Sequence, residues 1–390
     1  MSAPILAGGV WRDVVGQPAA VAELSQAAAD PAAMTHAWLF TGPPGSGRSN
    51  AARAFAAALQ CPDGGCGECQ ACRTVLHRTH ADVREVVPEG LSISVAEMRN
   101  LVQLAARRPS TGEWQILIIT DADRLTEGAA NALLKAVEEP APQTVFLLCA
   151  PSDHPEDVPV TIRSRCRLVP LRSPAPEAVA AVLVERDGIE PDMASWAAAV
   201  SGGHVGRARR LARDSDARDR RERILGVPLR LRHLGDAFAF ADNIVRSAEA
   251  EATDVSETRD AAEREELAVA MGAGGTGKGA ATAARGAKAA ERELERRQKS
   301  RNTRTQRDAL DRALVDLAGF YRDVLVAASQ APVALSNPDR EADIHQAARE
   351  WSAESTLRRL EAVLACREAL ELNVKPRIAV EAMMTALQQG

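Results

Sequence analysis

Short apolar runs alternate with helix-like segments over the first 170 or so residues. In QILIITDADRLT the five residues 116–120 are aliphatic or β-branched without a break, as a strand buried on both faces requires. TVFLLCA (144–150) repeats that pattern, and RCRLVPL (165–171) does so again. Another apolar run begins at Trp38 and ends in a glycine-rich loop. Between these runs the sequence predicts a helix over 50–59, the short strand DVREVVP, a helix over 95–106, and a helix that starts at Glu127 and stops at Pro140. Strands alternating with helices imply an α/β domain built on a parallel, helix-covered sheet.

After Pro174 the strand patterns cease. Residues 175–215 read as a small helical unit broken at GGHVG, and 216–390 as a longer helical domain with apolar periodicity around 310–328 and 357–372. Three domains are therefore expected, 1–174, 175–215 and 216–390, consistent with a 390-residue chain. Within the last, roughly 250–306 is low in complexity and lacks a large apolar face. It reads as an insertion, part flexible chain and part solvated helix. Its GAGGTGK imitates a phosphate loop, but no strand precedes it and Gly279 stands where a hydroxyl is needed, so it is a chance match.

The charge balance, 48 basic against 53 acidic residues, gives a formal −5 and no global basic field for nucleic acid, so any DNA contact must be local. The opening MSAPILAGGVWRDVVGQ lacks the charged and apolar regions of a secretion signal, and no apolar run reaches the length of a membrane span. A soluble cytoplasmic protein without membrane contacts is expected. Four of the seven cysteines, Cys61, Cys66, Cys69 and Cys72, form C-x4-C-x2-C-x2-C. Four thiolates so close in sequence suit the tetrahedral preference of zinc and point to a closed, structural site. Free surface thiols or a redox pair are the alternatives; His77 and His80 follow and could substitute as ligands, but with four cysteines available they read as ordinary loop residues.

FTGPPGSGRSNAARAF (40–55) reads as a phosphate loop, in which Gly42, Gly45 and Gly47 let backbone N–H groups surround phosphates and Ser49 offers a hydroxyl to magnesium. Arg48 stands where the pattern calls for lysine. It keeps the charge, but its planar fork is bulkier than a compact ammonium, so ATP or ADP binding is plausible and turnover less so. The competing reading is a glycine turn with no ligand.

HAWLFTGPPGSGRS, DADRLTEGAANALLKAVEEP and VPVTIRSRC together resemble the AAA+ module of bacterial clamp-loader subunits, and LNVKPRIAVEAMMTAL resembles the last helix of that family's C-terminal collar. The likeness covers 11–215, returns at 372–387 and fails over the insertion. It implies an AAA+ phosphate-loop sheet with a zinc module after the first loop-borne helix, a small helical lid and an all-α collar. Laid on the family's I-D-E-A-D pattern, the magnesium aspartate falls on Thr120 and the catalytic glutamate on Asp121, so the pair that turns over nucleotide is not intact. Val15, Gly16 and Gln17 match a segment near the adenine, or else form a turn before a helix. In SGGHVGRARRLA the family's sensor arginine falls on Gly206, with Arg207 shifted by one, and Arg209 and Arg210 read as solvated helix charges.

The resemblance also assigns Ser164-Arg165-Cys166. In the family this arginine reaches the ATP of the neighbouring subunit, and Arg165 is the candidate catalytic residue in trans; a surface ion pair is the alternative. Arg163 and Arg167, two residues to either side, would share its face on an extended segment. The partners implied are gamma/tau and delta subunits in a heteropentamer and, through that complex, the beta sliding clamp and primer-template DNA, at the nucleoid-associated replisome of the DNA polymerase III holoenzyme. Two readings follow. One is a stator subunit without turnover that lends its arginine to a neighbour; the other is a motor ATPase of the gamma/tau kind.

Overall fold

The computed structural model describes residues 8–88, 90–270 and 280–390; the GAGGTGK segment, 272–278, lies outside them. The chain divides into two compact units, Met1–Arg213 and Asp214–Gly390.

In the first unit a 3-10 turn precedes α1 (Pro18–Ala29), β1 (Ala37–Thr41), α2 (Arg48–Gln60), α3 (Gln70–Leu76), β2 (Val83–Val86), α4 (Val95–Ala105), β3 (Gln115–Ile119), α5 (Glu127–Glu138), β4 (Thr144–Ala150), α6 (Val160–Arg163) and β5 (Arg167–Pro170). Three further helices, α7 (Pro176–Asp187), α8 (Pro191–Ala199) and α9 (Val205–Arg213), complete it. The five strands pair in parallel in the order β2-β3-β4-β1-β5. Every residue of β1, β3 and β4 is buried, which explains why those strands read as unbroken apolar runs instead of alternating ones.

Alternate residues feed two cores. Trp38, Phe40, Ile116, Ile118, Val145 and Leu147 face α2, while Leu39, Leu117, Ile119, Phe146 and Leu148 belong to the cluster containing Met98 of α4 and Leu133 and Val137 of α5. The six alanines of α2 between Ala51 and Ala58 let its backbone approach the sheet closely, and Phe55 fills the remaining space edge-on to Trp38 at 5.0 Å. Ser94 and Thr126 cap α4 and α5 through their hydroxyls, and Pro140 follows where α5 stops.

The second unit is all helix: α10 (Ser215–Leu225), α11 (Val227–Arg230), α12 (Leu234–Ala270), α13 (Ala280–Ala328), α14 (Glu341–Glu350), α15 (Ala353–Glu371) and α16 (Pro376–Gln389). Its core joins Leu314, Leu317, Phe320 and Val324 of α13 to Ile244 of α12, Val363 of α15 and Met384 of α16. The described residues of the 250–306 segment, 250–270 and 280–306, belong to α12 and α13. Among the described residues no apolar side chain between Ala252 and Ala309 is buried; Asp260 and Gln298 are buried instead. Arg301 bridges Asp260 at 2.8 Å and also pairs with Glu263, while Gln298 donates to the carbonyl of Asp260 at 3.0 Å. Over this stretch, where no described apolar side chain is buried, the two helices are thus held by a polar seam. Arginine drives the Glu263 carboxyl down to about 2, burial opposing and Gln298 and Arg259 assisting.

One sequence expectation is corrected. RCRLVPL is strand only from Arg167; Arg165 and Cys166 lie in the turn after α6. Hydrogen bonds Ser164 N to Val160 O and Arg165 N to Ile162 O continue the helical curl, so 163–167 is not extended. Among the described residues no helix is long and apolar enough to cross a membrane.

Candidate functional site

The glycine loop joins β1 to α2. Gly42 N donates to Pro151 O at 3.1 Å, Leu171 N to Thr41 O at 2.7 Å, and Ala51 N to Gly47 O at 2.8 Å, fixing the loop between β4, β5 and the first turn of the helix. Gly42 and Gly45 have φ of 151° and 88°. A Cβ on Gly42 would collide with Leu171 O and approach Ser46 Oγ to 2.7 Å, and one on Gly45 would lie 2.5 Å from His204 Cβ and Cγ. His204 stands just ahead of α9, where its Nδ1 accepts from Arg207 N at 3.2 Å. Helix α9 therefore begins directly on the loop.

Arg48 opens α2 and folds back, Nη1 donating to Gly42 O at 2.7 Å. Ser49 is half-buried in the same first turn. Opposite, Thr120 spends its hydroxyl on Val86 O at 3.0 Å, beside its own N–H on the same carbonyl at 3.1 Å. A carboxylate could not donate that bond. Asp121 precedes the 3-10 turn Ala122–Arg124. Burial raises the Asp123 carboxyl, the charge of Asp121 adds to that effect, and Arg124 and Arg48 oppose it.

Gln17 ties the neighbouring segment to this loop. Its Nε2 donates to Ser46 O at 3.2 Å and to Arg172 O at 2.5 Å, and its Oε1 accepts from Arg172 N at 3.2 Å. Val15 is buried, and a Cβ on Gly16 would approach Pro174 Cβ to 3.1 Å. Through Gln17 the structure thus ties the 15–17 segment to the loop that carries Gly42, Gly45, Gly47, Arg48 and Ser49.

The four cysteines also converge. The Sγ atoms of Cys61, Cys66, Cys69 and Cys72 all lie within 4.8 Å of one another, with Cys61 at 3.7 Å from both Cys66 and Cys69. Four sulfurs around an ion at about 2.3 Å stand about 3.8 Å apart, so the donor set fits a tetrahedral metal. Backbone N–H groups of Cys66, Cys69 and Cys72 donate to the sulfurs of Cys61, Cys66 and Cys69, each at 3.4 Å. Burial pushes the Cys61 thiol up, but the backbone donors of Cys66, Gly65 and Asp63 outweigh it and bring it down to about 7. Burial raises Cys72. His80 Nδ1 accepts from Asp82 N at 3.1 Å and stays a loop residue.

Arg165 is exposed at the turn after α6. Nη1 donates to Thr161 O at 2.8 Å and Ser164 Oγ at 3.2 Å, and Nη2 lies 2.7 Å from Glu138 Oε1. Arg163 pairs with Asp153 at 2.6 Å, and Arg167 pairs with Glu23 at 2.7 Å and lies over the Trp38 ring at 5.0 Å. The three arginines thus have three different partners, and the common face expected for an extended segment is absent because the segment turns. Arg209, read as a solvated charge, pairs with Asp187 at 2.7 Å. The sequence reading missed Gln17 as a clamp, His204 as a neighbour of the loop and Glu138 as a partner of Arg165. Only Glu138 left a signal, an acidic pair at a helix C-terminus.

Two family models described as DNA polymerase III, delta subunit, and its C-terminal part match residues 16–175 and 305–389, together taking in both units. The chain belongs to the DNA polymerase III clamp-loader subunits. It is 32% identical over 211 residues to DNA polymerase III subunit delta' of Bacillus subtilis, covering 53% of this chain and 63% of that one. The delta' subunit of Pseudomonas aeruginosa is 37% identical over 153 residues, covering 38% and 45%. Subunit tau of Bacillus subtilis is 35% identical over 161, covering 40% and 28%. The chain thus spans less than two thirds of the length of each of these relatives. Among solved structures, a gamma subunit-related protein of Thermotoga maritima covers 95% of this chain and 98% of its own at 14% identity and a TM-score of 0.38. For this clamp-loader subunit the expected α/β class holds: a parallel sheet covered by helices, followed by an all-α region.

Proposed function

We propose that this chain is the delta-prime stator of the replicative clamp loader, hydrolysing little or no ATP itself and offering Arg165 to the ATP held by a neighbouring gamma/tau subunit. The observation that carries the reading is Thr120, at the position where a motor needs a magnesium carboxylate, with its hydroxyl committed to Val86 O. Arg165, by contrast, stands on an exposed turn. ATP or ADP held at Gly42, Gly45, Gly47 and Ser49 would be retained, not turned over. Cys61, Cys66, Cys69 and Cys72 would hold one structural zinc, which when bound supplies rigidity to the segment leading into α3 and no chemistry. Gamma/tau and delta subunits, the beta clamp and primer-template DNA are the partners, in the cytoplasm at the replisome.

The test is a pair of variants in the reconstituted clamp loader. Arg165→Ala leaves folding and assembly intact and lowers DNA- and clamp-stimulated ATPase, by about 10³-fold at the site it serves. Arg48→Ala changes turnover much less. If Arg48→Ala stops turnover and Arg165→Ala does not, the chain is a gamma/tau-like motor and the roles are reversed.

A further inference from the structure

Both terminal nitrogens of Arg165 are engaged within the chain itself. Nη1 donates to two acceptors, Thr161 O and Ser164 Oγ, and Nη2 faces the Glu138 carboxylate. An arginine grips a phosphate by laying two N–H groups in parallel on its oxygens. With Nη1 spent twice and Nη2 on a carboxylate, three of the five N–H groups are committed and neither terminal nitrogen is wholly free to do so. Two of the acceptors come from the turn that carries Arg165; the third, Glu138, is the last residue of α5.

Glu138 is not placed there for the sake of its helix. A carboxylate at a helix C-terminus opposes the macrodipole, and Glu139 at the C-cap adds a second. Arg165 supplies the compensating charge. Both side chains are more than a third exposed, at 39% and 38%, so the pair is weak and screened by salt. A doubly charged phosphate group competes with it readily.

We propose that Glu138 is a latch for Arg165: it holds the guanidinium stowed against α5 until a neighbour's phosphate displaces it. The proposal rests on the reading of Arg165 as a trans finger. Glu138 acts through Arg165 and is a positioning residue.

In the reconstituted complex, Glu138→Ala, Glu138→Gln and Arg165→Ala are compared for ATPase with and without primed DNA and clamp. Unlatching enlarges the engaged fraction, so Glu138→Ala lowers the KM for ATP and raises the unstimulated rate by about threefold, while stimulated kcat stays within about twofold. Glu138→Gln, which keeps the length and loses the charge, moves in the same direction by less. Added salt reproduces the effect in the wild-type complex and adds little to Glu138→Ala. An impaired Arg165→Ala complex beside a Glu138→Ala complex indistinguishable from wild type overturns the latch alone. A Glu138→Ala complex whose stimulated kcat falls as far as that of Arg165→Ala also overturns it, because Glu138 would then align the finger instead of restraining it. An Arg165→Ala complex with wild-type turnover overturns the finger reading, and the latch with it.

Discussion

Arg48 lays its Nη1 on the carbonyl oxygen of Gly42, 2.7 Å away across the mouth of the loop that both residues build. The cation that should reach out to a terminal phosphate instead neutralises a backbone dipole of its own loop. Lysine, with a compact ammonium, would not make the same planar contact. Arg48→Lys is therefore expected to leave the isolated chain without measurable ATPase, because Thr120 still offers no carboxylate to magnesium and Asp121 is one methylene shorter than the glutamate that would orient water. Thr120→Asp does not restore turnover either, and it replaces a donated bond to Val86 O with two facing acceptors at a cost of about 1–3 kcal/mol. Steady-state ATPase and urea unfolding of the two variants check both statements.

The cysteine cluster predicts about one zinc per chain by elemental analysis of protein purified without added metal. Cys72→Ser, which changes the fully buried cysteine of the cluster, lowers metal content to near zero and the melting temperature of the chain by roughly 5–10 °C. Chelation of the wild type shifts it in the same direction. A folded chain that never carries metal contradicts the assignment.

Asp82 is a buried carboxylate that accepts from the N–H groups of Ser110, Thr111 and Gly112 and from the hydroxyls of Ser110 and Thr111, at 2.7–2.8 Å. Burial pushes its carboxyl up, but these donors outweigh it and hold it well below the ordinary range. A depressed folded-state value means that the stabilisation is complete above the unfolded pKa of about 4 and is lost as the pH falls below it. Asp82→Ala should cost about 2–4 kcal/mol near neutrality. The gap between variant and wild type should close as unfolding is followed from about pH 5 towards pH 2.

The polar seam between α12 and α13 predicts that the helical pair can be shortened in register. Removing residues 256–304 and closing with a short glycine linker leaves the apolar core of the second unit in place, since no buried apolar side chain is lost among the described residues. Circular dichroism should show the loss of helix, with a cooperative transition kept within about 5 °C. Assembly with gamma/tau and delta subunits should persist; its loss would give the arginines of this segment a role in the complex.

How far the sequence could be read depended on the range of the forces involved. β3 and β4 were plain because burial on both faces leaves no polar position, and α5 because Thr126 caps it and Pro140 follows it. The convergence of the four cysteines was plain because they span only 61–72. What could not be read were pairings across long stretches of chain: Gln17 with Arg172, Gly45 with His204, Arg53 with Glu85, and Arg165 with Glu138. The RCRLVPL pattern places the strand two residues too early because Cys166 and Leu168 keep an apolar rhythm through a turn whose backbone hydrogen bonds leave no mark in the sequence.

Gly42 and Gly45 are demanded by Leu171, Ser46 and His204, neighbours from the protein's own fold, while a Cβ on Gly47 would meet nothing within 4 Å. The first two glycines are thus paid for by architecture. In a lineage that never again met a nucleotide, drift would still spare positions 42 and 45, while position 47 would be held only by its left-handed backbone, which asparagine also tolerates. Asparagine at 47 beside intact glycines at 42 and 45 would therefore mark a loop that has outlived its ligand.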